Sequence, residues 1–500
     1  MEVILALLCV IVVLWIAWRW QTTSVFQKLG IPGPEPSLFF GNLLELYKKG
    51  PLQCHREWVK KYGRVIGYYY GMKPVLLVTD PYLLKDIFIK DFNKFINREA
   101  FNPLHQYSPK DKHSQSVLNL PGQAWKDVRG VLTPTFTTAK MKQMEGTMNS
   151  SIHIMLEVLQ EKAEKGEEFE IFDVFQRLTM DVITKTAFGI QTDVQKNSKS
   201  SLLSATKLIF RTNYNDAVIF IGLAFPLLRK VCLRLQKIYS SGQKERPSAV
   251  DAGFVNCYRH LRNGHFEIRG GNTEMEKSVQ GEITNKKSRM MSDAEIVASA
   301  FAVLLAGYET TSTALAYTAY LLAKHQDVQD NLFQEIKELI ERGQKLEYAT
   351  VNKLPYLDKV LSESMRIHPP VHLFTNRYAL EDVQYGDIHI PKGMLIQAPV
   401  HLMHHDPEFW SEPEIFDPER FSSKPNADGV TYLPFGVGPR NCLGMRFAQL
   451  EAKLAIAHTI NKFHIKLGEK QKDELNILCR LRTLTPKGVY IRLEARNENT

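Results

Sequence analysis

The chain has 500 residues, 44% of them hydrophobic and 10% aromatic, which is ample for a large core. Its 63 Lys and Arg outnumber 54 Asp and Glu for a formal charge of +9, yet no long basic block or basic-aromatic stripe appears, which argues against nucleic acid as a partner. Six cysteines, at 9, 54, 232, 257, 442 and 479, are too scattered for a disulfide framework, so the body is expected in a reducing compartment.

The first element is apolar. Val3 to Trp18 carries no charge, and Trp15, Trp18 and Trp20 sit near its end as interfacial residues do. With Arg19 snorkelling outward, about 18 residues at ~1.5 Å each span ~27 Å, which matches the endoplasmic reticulum bilayer, also about 27 Å thick. Residues 1–20 are therefore read as a membrane anchor. A cleaved signal peptide competes with that reading, but bulky Trp and Arg stand where small cleavage-site residues belong. Arg19 and Lys28 follow the span, which puts the body on the cytosolic side. Residues 21–36 form a hinge closed by Pro32-Gly33-Pro34-Glu35-Pro36, where fixed proline φ angles stop any helix.

Past the hinge, Val75-Leu76-Leu77-Val78-Thr79 reads as a strand of a small sheet, ended by Asp80-Pro81. From Trp125 to about Ile367 the apolar period is mostly helical. Polar stretches at 241–247 and 263–287 read as exposed loops with a short helix between them. The fold class is thus mainly α with small β-sheets. Residues 37–500 are taken as one domain, because the motifs from 125 to 444 belong to a single site.

Ser292-Asp293-Ala294-Glu295 is a capping box that opens a helix running to about Lys324. Its apolar run could pass for a second membrane span. Glu309 interrupts it, at a cost of ~2.5–3.5 kcal/mol in a bilayer centre, so a buried core helix is expected. Within it, Ala306-Gly307 would let a flat cofactor approach the axis. Thr310 offers a hydroxyl to a bound ligand, and Glu309 beside it can relay protons from water. The plainer alternative is a threonine that bonds back to the preceding turn.

Further on, Glu363 and Arg366 share a helix face at i and i+3, before Pro369-Pro370 stops the helix. His401, His404 and His405 have zinc-like helical spacing but no recognisable third ligand or catalytic acid. Then comes Phe435-Gly436-Val437-Gly438-Pro439-Arg440-Asn441-Cys442-Leu443-Gly444. Its glycines let the backbone wrap a thiolate and aim N–H groups at the sulfur. No second Cys or His lies close enough for a tetrahedral zinc site. One protein thiolate plus a planar partner is the haem-thiolate arrangement; a buried structural cysteine in a glycine-rich turn is the alternative.

The F-x-x-G-x-R-x-C-x-G pattern resembles the cysteine loop of the cytochrome P-450 superfamily, and Ala306-Gly307-Tyr308-Glu309-Thr310-Thr311 resembles its central helix. With Thr133-Pro134-Thr135-Phe136-Thr137, these segments look like the family-3 branch, which includes broad-specificity xenobiotic and steroid oxidases of animals. The resemblance covers nearly the whole chain after the anchor. It implies the cytochrome P-450 fold and haem b, with Cys442 as the axial iron ligand and Phe435 and Ala306 beside the cofactor. Trp125 and Arg129 match a W-x-x-x-R segment and, with Arg377 and Arg440, are implied to hold the haem propionates. Glu363, Arg366 and Arg420 of Pro418-Glu419-Arg420-Phe421 are implied to form a buried network that holds the cysteine loop. His404-His405-Asp406-Pro407 resembles the family's H-x-D-P turn.

The implied activity is a monooxygenase that inserts one atom of O2 into lipophilic xenobiotics, steroids or lipids, with Thr310 and Glu309 handling protons. NADPH would supply electrons through NADPH–cytochrome P-450 reductase, with cytochrome b5 a second candidate donor and membrane lipid as the setting. Two alternatives stay open: a haem-thiolate isomerase or dehydratase that needs no reductase, and a non-enzymatic haem sensor. The chain departs most from relatives at about 99–122, 201–235, 369–374 and 481–485, the regions that line the pocket in relatives. Phe301, Val371, Leu373 and Leu484 are expected as apolar wall residues. Val218 to Phe225 falls where relatives carry a membrane-dipping loop.

Overall fold

Helices dominate and the sheets are small. The computed structural model describes residues 1–100, 104, 107–108, 112–197, 200–210, 217–242, 291–423, 430–471, 474–480 and 482–496. Of the two polar stretches expected to be loops, 243–290 lies outside the described residues; helix Arg229–Gly242 runs two residues into the first.

Helix α1 (Glu2–Thr23) extends three residues beyond the expected anchor. Thr22 and Thr23 continue the turn by donating their hydroxyls to the Arg19 carbonyl at 2.8 and 2.9 Å. The apolar side chains of α1 are exposed nearly all round. Arg19 does not snorkel. It is 1% exposed, donates Nε–H to Leu38 O at 2.5 Å, and lies 5.9 Å from the Trp15 ring centroid. The end of α1 therefore docks on the body, and Trp15 meets Phe39 at 5.3 Å.

The expected strand falls within β2 except for Thr79, which lies just past its end. Strands β1 (Val65–Tyr70) and β2 (Lys73–Val78) form an antiparallel pair, joined by β3 (Asn376–Tyr378) and β4 (Leu395–Gln397) in the order β1-β2-β4-β3. β2 and β4 run parallel, with Val75 opposite Leu395, so the sheet ties the two ends of the body together. β2 stops because Asp80 caps the next helix, accepting the Leu83 N–H at 2.8 Å.

The helical side is built from α2 (Gly122–Leu132), α3 (Thr138–Glu164), α4 (Ile171–Phe188), α5 (Ala217–Ala224), α6 (Asp293–Lys324), α7 (Pro355–Ile367) and α8 (Met445–Lys462). The capping box forms as expected: Ser292 Oγ accepts the Glu295 N–H at 3.3 Å, and Glu295 returns a carboxylate to the Ser292 N–H at 2.8 Å. Among the described residues, α1 and α6 are the two helices long and apolar enough to cross a membrane. α6 is instead the core: Leu315, Ala316, Tyr317 and Leu322 have no exposure at all, and Glu309 is buried within the same helix. Thr179 of α4 donates to the Tyr308 carbonyl at 2.9 Å, and Thr318 donates to Ser364 of α7 at 2.9 Å.

α7 carries a buried ion pair. Glu363 and Arg366 are both wholly buried and meet bidentately at 2.7 and 2.8 Å. Arg420 adds a third contact, Nε to Glu363 Oε1 at 3.2 Å. Arg366→Met leaves the Glu363 charge in the core with only Arg420 against it, and is expected to cost ~3–5 kcal/mol. The measurement is the melting temperature, with Arg342→Met as the surface control, whose 3.5 Å pair to Glu338 is exposed and should shift it little.

Candidate active site

Glycine chemistry shapes the Cys442 loop. Gly436 and Gly438 take φ of 69° and 71°, and a Cβ on Gly438 would sit 2.2 Å from Phe88 O. No L side chain fits there. The Cys442 N–H donates to Phe435 O at 2.8 Å and the Gly436 N–H to Leu433 O at 3.1 Å, so the turn closes on itself. The Cys442 side chain remains accessible. Crowding by protein atoms pushes its thiol up, while the Gly444 N–H and the Arg129 and Arg98 guanidinium groups pull it down. All five described cysteines are free.

His404 supports this loop from behind. Its Nε2 accepts the Leu433 N–H at 2.7 Å and its Nδ1 faces Arg366 O at 3.2 Å. Burial, His405 and Arg366 hold its pKa down at about 3. It is therefore neutral, with the proton on Nδ1. His401 and His405 stack at 4.1 Å. Among the described residues no three His, Cys, Asp or Glu side chains gather as a metal-binding group.

Four arginines converge near the loop. Arg129, one turn after Trp125 on α2, donates to Asn441 O and Asn441 Oδ1, both at 2.8 Å. Arg440 donates to Leu118 O at 3.4 Å and to Leu120 O, and lies 4.4 Å from the Trp125 ring centroid. Arg377 on β3 is 1% exposed and gives Nη1 to Asn376 O at 2.7 Å. Arg98 donates to Arg440 O at 3.0 Å and sits over Phe374. None pairs with a carboxylate among the described residues. Burial and mutual repulsion push Arg98 down to about 10 and Arg440 to about 8, and Arg377 falls well below its usual value. The Nε atoms of Arg98, Arg377 and Arg440 are buried without a hydrogen-bond partner. Such a cluster calls for an anionic ligand with more than one carboxylate. Arg98 was not picked out from the sequence, because it sits in no local motif; only the chain's return past Cys442 gives it a role.

On α6, Ala306 is exposed and Thr310, one turn on, is half-buried, an open face on a helix otherwise sunk in the core. Gly307 does not share that face. A Cβ there would meet Ile183 Cδ1 at 3.0 Å, so its smallness serves α4–α6 packing, and only Ala306 fits the expected cofactor face. Thr310 Oγ1 bonds back to Ala306 O at 2.7 Å. Glu309 turns away into the protein, 2% exposed. It accepts from Gln176 at 3.3 Å and from Thr485 at 3.2 Å, and burial raises its pKa to about 7. The region 369–374 docks on the C-terminal hairpin through Val371 paired with Thr483. Leu373 and Leu484 are buried there, and Val371 and Phe301 are half-buried.

The sequence profile described as "Cytochrome P450" matches residues 31–492. The chain is similar to cytochrome P450 3A41 of Mus musculus, 34% identical over 487 residues covering 94% of this chain and 92% of that protein. It is similar to cytochrome P450 3A7 of Homo sapiens, 33% identical over 499 residues, 98% and 96% of the two chains, and to cytochrome P450 3A5 of Homo sapiens, 32% identical over 494 residues, again 98% and 96%. Haem b, the cofactor of that family, fits this donor set: one accessible cysteine in a glycine-built loop, an open alanine face on the core helix, and four clustered cations, two of them buried, suited to two propionates. The chain belongs to the cytochrome P450 family, in the company of family-3 members, and is a haem-thiolate monooxygenase.

Proposed function

We propose that this monooxygenase is microsomal, acts on lipophilic substrates, and draws electrons from NADPH through a membrane-bound flavoprotein reductase. The observation that carries the reading is the accessible Cys442 thiol beside four clustered arginines, two buried and two half-buried, that have no acid of their own among the described residues. When bound, haem supplies iron-centred activation of dioxygen, one atom of which enters the substrate. Cys442 would supply the thiolate that holds the iron, and Arg98, Trp125, Arg129, Arg377 and Arg440 would receive the propionates. The Phe435 carbonyl, by accepting the Cys442 N–H at 2.8 Å, holds the sulfur's backbone in place. Thr310 orients a proton at its hydroxyl, and Glu309 holds one that it can give up near neutral pH. Phe301, Val371, Leu373 and Leu484 exclude water from an apolar substrate. Lys126 and Arg446, both exposed close in sequence to the site, suit an acidic electron donor, the reductase or cytochrome b5.

The setting is the endoplasmic reticulum membrane, with α1 as a single-pass anchor and the body in the cytosol. A second apolar contact supports it. α5 forms where a membrane-dipping segment is expected; Phe220 meets Phe40 at 5.7 Å, next to the docked end of α1, while Ile221, Leu227, Leu228 and Val231 are exposed. Deleting residues 1–23 should leave haem binding intact and make the protein easier, though incompletely, to wash from vesicles at high salt. Full retention would mean that α1 is not the main anchor.

Cys442→Ala should abolish the red-shifted Soret band of the ferrous carbon monoxide complex; a retained thiolate spectrum would assign the ligand to another cysteine. The reaction itself is tested in vesicles with purified reductase, NADPH and testosterone as a lipophilic probe. Wild type should consume oxygen only when NADPH and reductase are both present. Thr310→Ala should keep its haem but divert reducing equivalents to hydrogen peroxide, a loss of product on the order of 10²-fold. Wild-type efficiency in Thr310→Ala, as product per NADPH, would remove the hydroxyl from the proton route.

A further inference from the structure

We propose that Gln176 and Thr485 are positioning residues for proton delivery, holding the Glu309 carboxyl between two partners that can reverse their hydrogen bonds as it gains or loses its proton. Glu309 leaves α6 into a closed space, and each of its oxygens meets one neutral group. Gln176 of α4, 7% exposed, gives Nε2–H to Oε2 at 3.3 Å. Thr485 of the hairpin strand Leu484–Pro486, 2% exposed, gives its hydroxyl to Oε1 at 3.2 Å.

The choice of partners matters. Arginine or lysine can only donate, and would lock the carboxylate in its charged form. A hydroxyl rotates from donor to acceptor, and an amide presents its oxygen in place of its nitrogen, so both can serve the protonated acid as well as the anion. Both bonds are long for hydrogen bonds to a carboxylate, so neither form is tightly trapped. The wider surroundings fit the same role. Arg480 and Lys207 add positive charge that favours the anion, against burial that favours the acid. Tyr308 and Tyr317 face Glu309 from its own helix, and burial pushes both phenols far up, so they stay neutral. Thr310 is the next residue along α6, so the clamp also sets where the proton store stands relative to that hydroxyl.

The purpose of the clamp rests on the oxygenase reading above, and its geometry does not. The test is an infrared titration of the holoenzyme, following the protonated-carboxyl band and assigning it by its loss in Glu309→Gln, because Glu170 is also raised to about 7 by burial. Wild type should titrate near 7. Removing a donor to the anion raises the pKa, so Thr485→Val and Gln176→Leu should each move the midpoint up by about one pH unit. Thr485→Ser, which keeps the hydroxyl, should return it to the wild-type value. In the reductase-coupled assay the first two variants should raise peroxide formed per NADPH several-fold, and Thr485→Ser should not. Unchanged midpoints in both Thr485→Val and Gln176→Leu, or a Thr485→Ser midpoint displaced as far as that of Thr485→Val, overturns the clamp. Failure of wild type to turn over with reductase overturns the oxygenase reading alone, since the titration still decides the clamp.

Discussion

Arg366 is the constraint on which the site depends. A guanidinium with no solvent must find an acceptor for each of its five N–H groups. Here it finds five: both oxygens of Glu363 and the carbonyls of His404, Pro413 and Ile415. Two of those acceptors belong to the irregular stretch that precedes the cysteine loop, and a third, His404, ends the short helix Val400–His404 that leads into it. Once α7 is packed against α6, that stretch can lie along only one path, because any other strands a buried charge. His404 then passes the constraint forward by accepting the Leu433 N–H, and Leu433 O accepts from Gly436 at the start of the loop. The thiolate is thus placed by a chain of hydrogen bonds that begins some eighty residues earlier in sequence.

A second principle separates structural charge from ligand charge. Arg98 and Glu99 are neighbours in sequence, yet they do not pair. Glu99 turns to Lys73 at 2.6 Å and to Arg482, and these cations hold its pKa at about 2 despite full burial. That triad is complete and joins the sheet to the C-terminal hairpin. Arg98, denied its adjacent acid, points toward three more arginines instead. Four clustered cations, Arg377 and Arg440 buried and Arg98 and Arg129 half-buried, with no acid between them would be a severe cost in a purely structural core. Where charge is compensated the fold is being held, and where it is not a ligand is expected.

Packing also corrects the roles that local patterns suggest. Ala306 and Gly307 look alike as small residues on one helix, but a rotation of about 100° separates them. One faces open space and the other faces Ile183. The same rotation parts Thr310 from Glu309, so the acid and the alcohol are neighbours in sequence that look into different surroundings. Arg19 offers a parallel case at the end of α1. A long cationic side chain after an apolar run is free to reach water, but the body's own Leu38 carbonyl comes close enough to capture it.

Local chemistry made much of this protein legible from its amino acids. The glycines around Cys442 demand left-handed backbone, the Ser292–Glu295 box starts a helix wherever it occurs, and Glu363 and Arg366 meet because one helical turn brings i and i+3 together. Each rests on geometry within a few residues. The family resemblance carried Trp125, Arg129, Arg377 and Arg440, and the fold brings all four beside Cys442 or its loop. What sequence could not determine was every contact made at long range. Arg98 lies more than three hundred residues from Arg440, and Glu309 lies 133 residues from Gln176 and 176 from Thr485. The period of apolar residues says which face of a strand or helix is apolar, and it says nothing about which distant polar group will arrive there. That is settled only when the core closes, because a buried donor or charge left without a partner costs a large share of a small net stability, and the partner is whatever the packing brings within reach.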